Sequence, residues 1–221
     1  MLTCVLCYTE AWDWPAEYAQ IRGDGAMDGS ELAVFMISMA LTFVYIAKWY
    51  YSIASAWPKE HGILGKAVLG FLPAVALVAM LSVLTTLASF DVVGSTFFIT
   101  FYVFLGFPWL WLGELAMRSF FDISLADDIL QMDNKSALLT FAGGFLGVTA
   151  IYSAANIGDG PGWWCVVFAG GLGFVAWVTL ALAAGRLSHA FERVTVGRDV
   201  PCGIRFGCFL LACGIIIGRA S

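Results

Sequence analysis

Charge is what this chain has least of. Only 12% of its 221 residues are Asp, Glu, Lys or Arg, against roughly a quarter in a soluble domain. Basic residues are the scarcer kind, eleven against sixteen acids, for a net charge of −5. With no basic face, a nucleic-acid partner is excluded. Histidine is limited to His61 and His189. Both fall in hydrophilic connectors, so haem ligation inside a helical bundle is not expected. Cysteine makes a single CxxC, Cys4 and Cys7, with no second pair or neighbouring His to complete a zinc set. Cys165, Cys202, Cys208 and Cys213 read as small apolar packing residues. "AGGLG", Ala169 to Gly173, lies inside an apolar span with no preceding strand, so it is not a dinucleotide loop. The opening "MLTCVLCYTEAWDWPAEYAQIRGDGAMDGSE" has no basic stretch leading into an apolar one, and no cleavable targeting signal is expected. It carries six acids and one base, Arg22. No catalytic site, metal or cofactor is expected from these residues.

What the chain has instead is apolar length. Sixty-one per cent of it is hydrophobic, in continuous runs that exceed the roughly 20 residues needed to cross a bilayer. The runs do not alternate, which excludes a transmembrane barrel. The fold class is all-α, a polytopic membrane protein of about six helices. They are expected over Leu32–Ser55, Gly65–Phe90, Ser95–Met117, Ser136–Ile157, Trp163–Leu187 and Cys202–Arg219. The organisation is an acidic segment at 1–31 followed by three transmembrane hairpins, at 32–90, 95–157 and 163–221.

Orientation follows from Lys and Arg. Lys48, Lys59 and Lys66 flank the first loop. Arg118 and Lys135 flank the third, and Arg186, Arg193, Arg198 and Arg205 the fifth. "FDVVGS" and "NIGDGPG" hold none. Loops one, three and five are therefore expected in the cytoplasm and both termini outside. "NIGDGPGWW" is then an outer turn: Asp159, Gly160 and Pro161 break the helix, and Trp163 and Trp164 sit at the headgroup boundary.

The last four helices read as a duplicated hairpin. "DNKSALLTFAGGFLGVTAI" (Asp133 to Ile151) aligns with "GRDVPCGIRFGCFLLACGI" (Gly197 to Ile215), with Gly143 on Gly207, Phe145 on Phe209, Leu146 on Leu210 and Ile151 on Ile215. The two copies share an orientation, so the repeat is parallel. A charged connector, "HAFERVTVGRD", precedes the small-residue-rich final helix "VPCGIRFGCFLLACGIIIGRAS", with a sister copy upstream. In this layout the chain, over about Phe97 to Ser221, resembles the YjfL-like bacterial inner-membrane proteins, a family of unknown function numbered three-fifty. The resemblance implies an integral inner-membrane protein and brings no reaction and no catalytic residues.

Two features carry the functional reading. Glu114, in "FPWLWLGELAMRSFF", is a carboxylate inside an apolar span, a costly placement that marks either an ion pair or a proton or cation site. Arg118, four residues on, shares its helix face. Glycine pairs four apart, Gly143 with Gly147, Gly203 with Gly207 and Gly214 with Gly218, let helix backbones approach closely. Pro73 and Pro108 are expected to kink the second and third helices. The connector "FFDISLADDILQMDNK" alternates apolar and acidic residues and is expected to lie along the membrane surface. Together these point to a membrane protein of structural or accessory role acting through helix–helix contacts. The other reading is a small-ion channel or transporter using Glu114. The expected partners are the lipid bilayer and, beyond it, a second copy of the chain or other membrane proteins.

Overall fold

The computed structural model describes residues 29–56, 63–93, 95–158 and 162–220. Most of the acidic segment, the Cys4/Cys7 pair, Lys59, His61 and the tip of the "NIGDGPG" turn at 159–161 lie outside the described residues. The chain forms two compact units, Met1–Val34 and Phe35–Ser221. The first enters only through its residues 29–34, the opening turns of the first helix; the rest of the described chain belongs to the second.

Six long helices carry the fold: α1 (Gly29–Ser55), α2 (Ile63–Thr86), α3 (Thr96–Phe120), α4 (Lys135–Ala155), α5 (Trp163–Leu187) and α6 (Val200–Ala220). The shortest has 21 residues and the longest 27. At 1.5 Å per residue they reach about 30–40 Å, enough for a hydrocarbon core of about 30 Å. All six are long and apolar enough to cross a membrane. α2 and α3 run unbroken through Pro73 and Pro108. α2 stops at Thr86, four residues before the expected end. Ala88 instead forms isolated bridges with Ile157 and Gly158, and a one-turn helix, Phe90–Val93, precedes α3.

α4 is the most enclosed of the six. Its Phe141, Phe145, Val148, Ile151 and Tyr152 are fully buried, among Leu69 and Met80 of α2, Leu110 and Met117 of α3, Trp177 of α5 and Leu210 of α6. Trp49 of α1 packs at a tilt against Phe141 and Phe145, with ring centres 6.0 and 5.4 Å away. Large apolar side chains face outward instead, among them Phe43, Phe71, Val78, Phe168, Val175 and Ile216. Such a surface is costly in water but matches lipid tails.

The two connectors on the third and fifth loops share an unusual backbone. Asp122 and His189, each two residues past a helix end, have φ of 53°, and Asp133 and Arg198, each two residues before a helix start, have φ of 49°. Few non-glycine residues adopt this region. Asn134 and Asp199 then cap α4 and α6, accepting bonds from Ala137 N at 3.2 Å and Cys202 N at 3.5 Å. The preceding turns match as well: Met132 N donates to Asp127 O as Gly197 N does to Glu192 O, and Asn134 N to Asp128 O as Asp199 N to Arg193 O. Every pair from Asp127 onward is 65 residues apart. The backbone correspondence therefore sets Gly143 level with Cys208, one residue from the sequence alignment on Gly207. The first connector is two residues longer, and it carries a π-helix, Leu125–Gln131, in which Leu125, Ile129 and Leu130 are buried. Ser124 N and Oγ donate to Asp128 and Asp127, which ties these acids to the helix start.

Candidate functional site

The glycine pairs meet along one line. A Cβ on Gly143 would fall on the backbone of Gly207, one on Gly203 on Ser136, and one on Gly214 on the backbone of Gly147. Gly147 would bring its Cβ to 2.7 Å from Leu210 O, Gly207 to 2.5 Å from Leu139 O, and Gly218 to 2.8 Å from Ala154 Cβ. The α4 residues on this seam are Ser136, Thr140, Gly143, Gly147, Ala150 and Ala154. They recur at alternating intervals of four and three, the spacing that keeps one stripe of a helix against a parallel neighbour. α4 and α6 thus touch backbone to backbone over their whole length. Thr140 Oγ1 donates to Ser136 O at 3.0 Å and lies 3.2 Å from Gly203 O across the seam. Trp177 Nε1 of α5 donates to Leu210 O at 2.9 Å from the side. All six glycines singled out in the sequence are taken up within one chain.

The seam is closed at its connector end by two residues that sequence reading missed. Asn134, 2% exposed, accepts from Ser136 N and Ala137 N through its Oδ1. Its Nδ2 donates to Val194 O at 2.8 Å and Thr195 O at 3.2 Å on the other connector. Ser136 Oγ donates to Asp199 O at 2.7 Å. An Asn immediately before an apolar helix is a start signal, but nothing in the sequence says that its amide reaches across 60 residues.

Glu114 lies at the contact of α3 with α1. It is half-buried, while Arg118 is exposed. The spacing of four does not join them: the ion pairs among the described residues are His189–Glu192 and Arg193–Asp199. The carboxylate faces α1 instead, where Lys48 and Tyr45 bear on it, with Arg118 a weaker neighbour. Tyr45 is 1% exposed, and its hydroxyl, though directed at Glu114, completes no hydrogen bond. Trp111, one turn before Glu114, stacks on Tyr45 at 6.0 Å and lies under Lys48 Nζ, 5.8 Å from the ring centre. Thr42 Oγ1, one turn earlier on α1, has one proton to share between Ser38 O at 2.8 Å and Phe104 O of α3 at 2.9 Å. Lys48 lies inside α1, about two turns before its end.

Two cavities lie at opposite ends of the bundle. One is lined by Tyr51, Ser52, Ser55 and Leu130, the other by Tyr102, Asn156, Gly162 and Cys165, and Glu114 borders neither. Among the described residues no three His, Cys, Asp or Glu side chains converge as a metal site would require. No family model, curated protein or solved structure matches this chain.

Proposed function

We propose that this is a multi-pass inner-membrane protein of structural or accessory role, built around α4 and α6 as a rigid spine. The observation that carries the proposal is the glycine seam. Transport by rocking needs two packings of facing helices. Here carbonyl oxygens of one helix sit where the other has no side chain, from Ser136 to Gly218, and sliding either helix drives side chains into backbone. Contacts with a second copy or other membrane proteins would use the outer faces of α1, α2 and α5, since the glycine stripes are occupied. The likeness to YjfL-like proteins belongs to this proposal, and so does an origin by duplication, which the 65-residue recurrence of connector geometry supports.

The proposal places both termini outside. Lys66, Arg118, Lys135, Arg186, Arg193 and Arg198 all lie at the connector end, and Arg219 in the last turn of α6 lies at the other. Gln131→Cys in a background free of native cysteines should resist an impermeant maleimide in intact cells and react once they are permeabilised. Labelling from outside would reverse the orientation.

A second reading, a small-ion channel or transporter, is favoured by one observation: Glu114 is half-buried, without an ion pair, and faced by the unbonded Tyr45 hydroxyl. Ion and proton flux should be measured in vesicles bearing wild type or Glu114→Gln. No specific flux is expected from either. A wild-type flux that disappears in the variant would replace the first reading with the second.

A further inference from the structure

Glu114 and Arg118 stand one turn apart on α3, carry opposite charges and do not pair. Their Cβ atoms are separated by about 5–6 Å, as the helix dictates. Lys48 approaches the same place from α1, held over the Trp111 ring. The arrangement is two exposed cations beside one half-buried carboxylate, with an aromatic wall and a buried hydroxyl, that of Tyr45, lacking a hydrogen-bond partner.

Depth limits what such a group can meet. Glu114 lies six residues before the end of α3 and Lys48 seven before the end of α1, or about 9–10 Å along each helix. Both helices are longer than a hydrocarbon core of about 30 Å, so these side chains lie within about a turn of its edge, and Lys and Arg extend to the headgroups. The flanking surface is apolar and open: Val44 of α1 and Leu112 and Leu115 of α3 are all exposed. A soluble anion would leave that surface uncovered, whereas acyl chains would cover it.

The geometry points to a binding site for an amine-headed phospholipid on the outer surface where α1 meets α3, with the phosphodiester taken by Lys48 and Arg118 and the ammonium by Glu114. A zwitterion whose charges are two carbons apart fits between a Glu and an Arg one turn apart. Its insertion accounts for two opposite charges that share a helix face without joining. The unbonded Tyr45 hydroxyl faces the carboxylate from its buried side. The site rests on the membrane reading and gives Glu114 a role that needs no ion movement.

The full chain, placed in vesicles of equal phosphatidylethanolamine, phosphatidylglycerol and phosphatidylcholine, would be released into native mass spectrometry and its retained lipids counted. Wild type should retain the primary-amine lipid over the glycerol lipid by about tenfold, the worth of one charge-assisted contact. Glu114→Gln should bring that ratio to about one, and Lys48→Gln should lower retention of both by a similar factor. Arg186→Gln, another last-turn arginine at the same end, should change neither. A wild-type ratio near one, or a preference that survives Glu114→Gln, overturns the site. Where Glu114→Gln lowers the melting temperature, Lys48→Gln decides instead, and undiminished retention in it overturns the site. A chain that fails to enter vesicles at all defeats the membrane reading itself, which is a different result from one that enters and shows no headgroup preference.

Discussion

Gly143→Leu is expected to abolish the folded bundle. Even an alanine Cβ at this position would land on the Gly207 carbonyl, and neither backbone is free to retreat. Two turns of α4 towards the connectors, Ser136 meets Gly203; one turn of α4 the other way, Gly147 meets Gly214. Overpacking a core with side chains costs about 1–3 kcal/mol, and backbone against backbone lies at or above the top of that range. Thermal unfolding and size-exclusion chromatography in mild detergent should show an early, broad transition and aggregated protein. Gly70→Leu is the control. Nothing lies within 4 Å of a Cβ built there, and its effect should stay within about 0.5 kcal/mol. Equal melting of the two variants would mean that α4 and α6 are not in backbone contact.

Asn134→Ala should cost about 3 kcal/mol. Part is the lost cap of α4, typically about 1 kcal/mol. The rest comes from Val194 O and Thr195 O, which lose their cross-connector donor, at about 1–3 kcal/mol for buried groups left unpaired. Asn134→Asp keeps the acceptor for Ser136 N and Ala137 N but sets a carboxylate against two carbonyls, and should be no better than Ala. Asp199→Ala, at the matching cap of α6, should cost only about 0.5 kcal/mol: its bond to Cys202 N is long, 3.5 Å, and its side chain is 36% exposed. Denaturant titration of the three variants orders them. Matching losses for Asn134→Ala and Asp199→Ala would show that the amide's reach across the connectors contributes nothing.

Helix number and extent were legible because the signal is local. Apolar length and turn residues place α5 at Trp163–Leu187 from the sequence, and the structure has the same bounds. What the sequence withholds is which faces meet. The four-residue glycine spacing marks a stripe without naming its mate, and Gly143 aligned with Gly207 looks like a repeat equivalence when the two are contact partners. Glu114 and Arg118 read as a pair because spacing reports the shared face and not the direction in which each side chain turns. The left-handed residues Asp122, Asp133, His189 and Arg198 share no residue type beyond the two aspartates, so the recurrence they form exists in backbone shape alone.

The enclosure of α4 also bears on how the protein is made. α4 is complete at Ala155, but α6, which covers its glycine stripe, is complete only at Ala220. At about 5–20 residues per second, ribosomes leave that stripe without its cover for several seconds after α4 emerges. Through this interval the glycine stripe, with Ser136 and Thr140 on it, has only lipid or the insertion machinery beside it. The step that seals the fold thus waits for α6 to be translated, and a chain cut short before Val200 displays an open flank that a membrane protease can recognise.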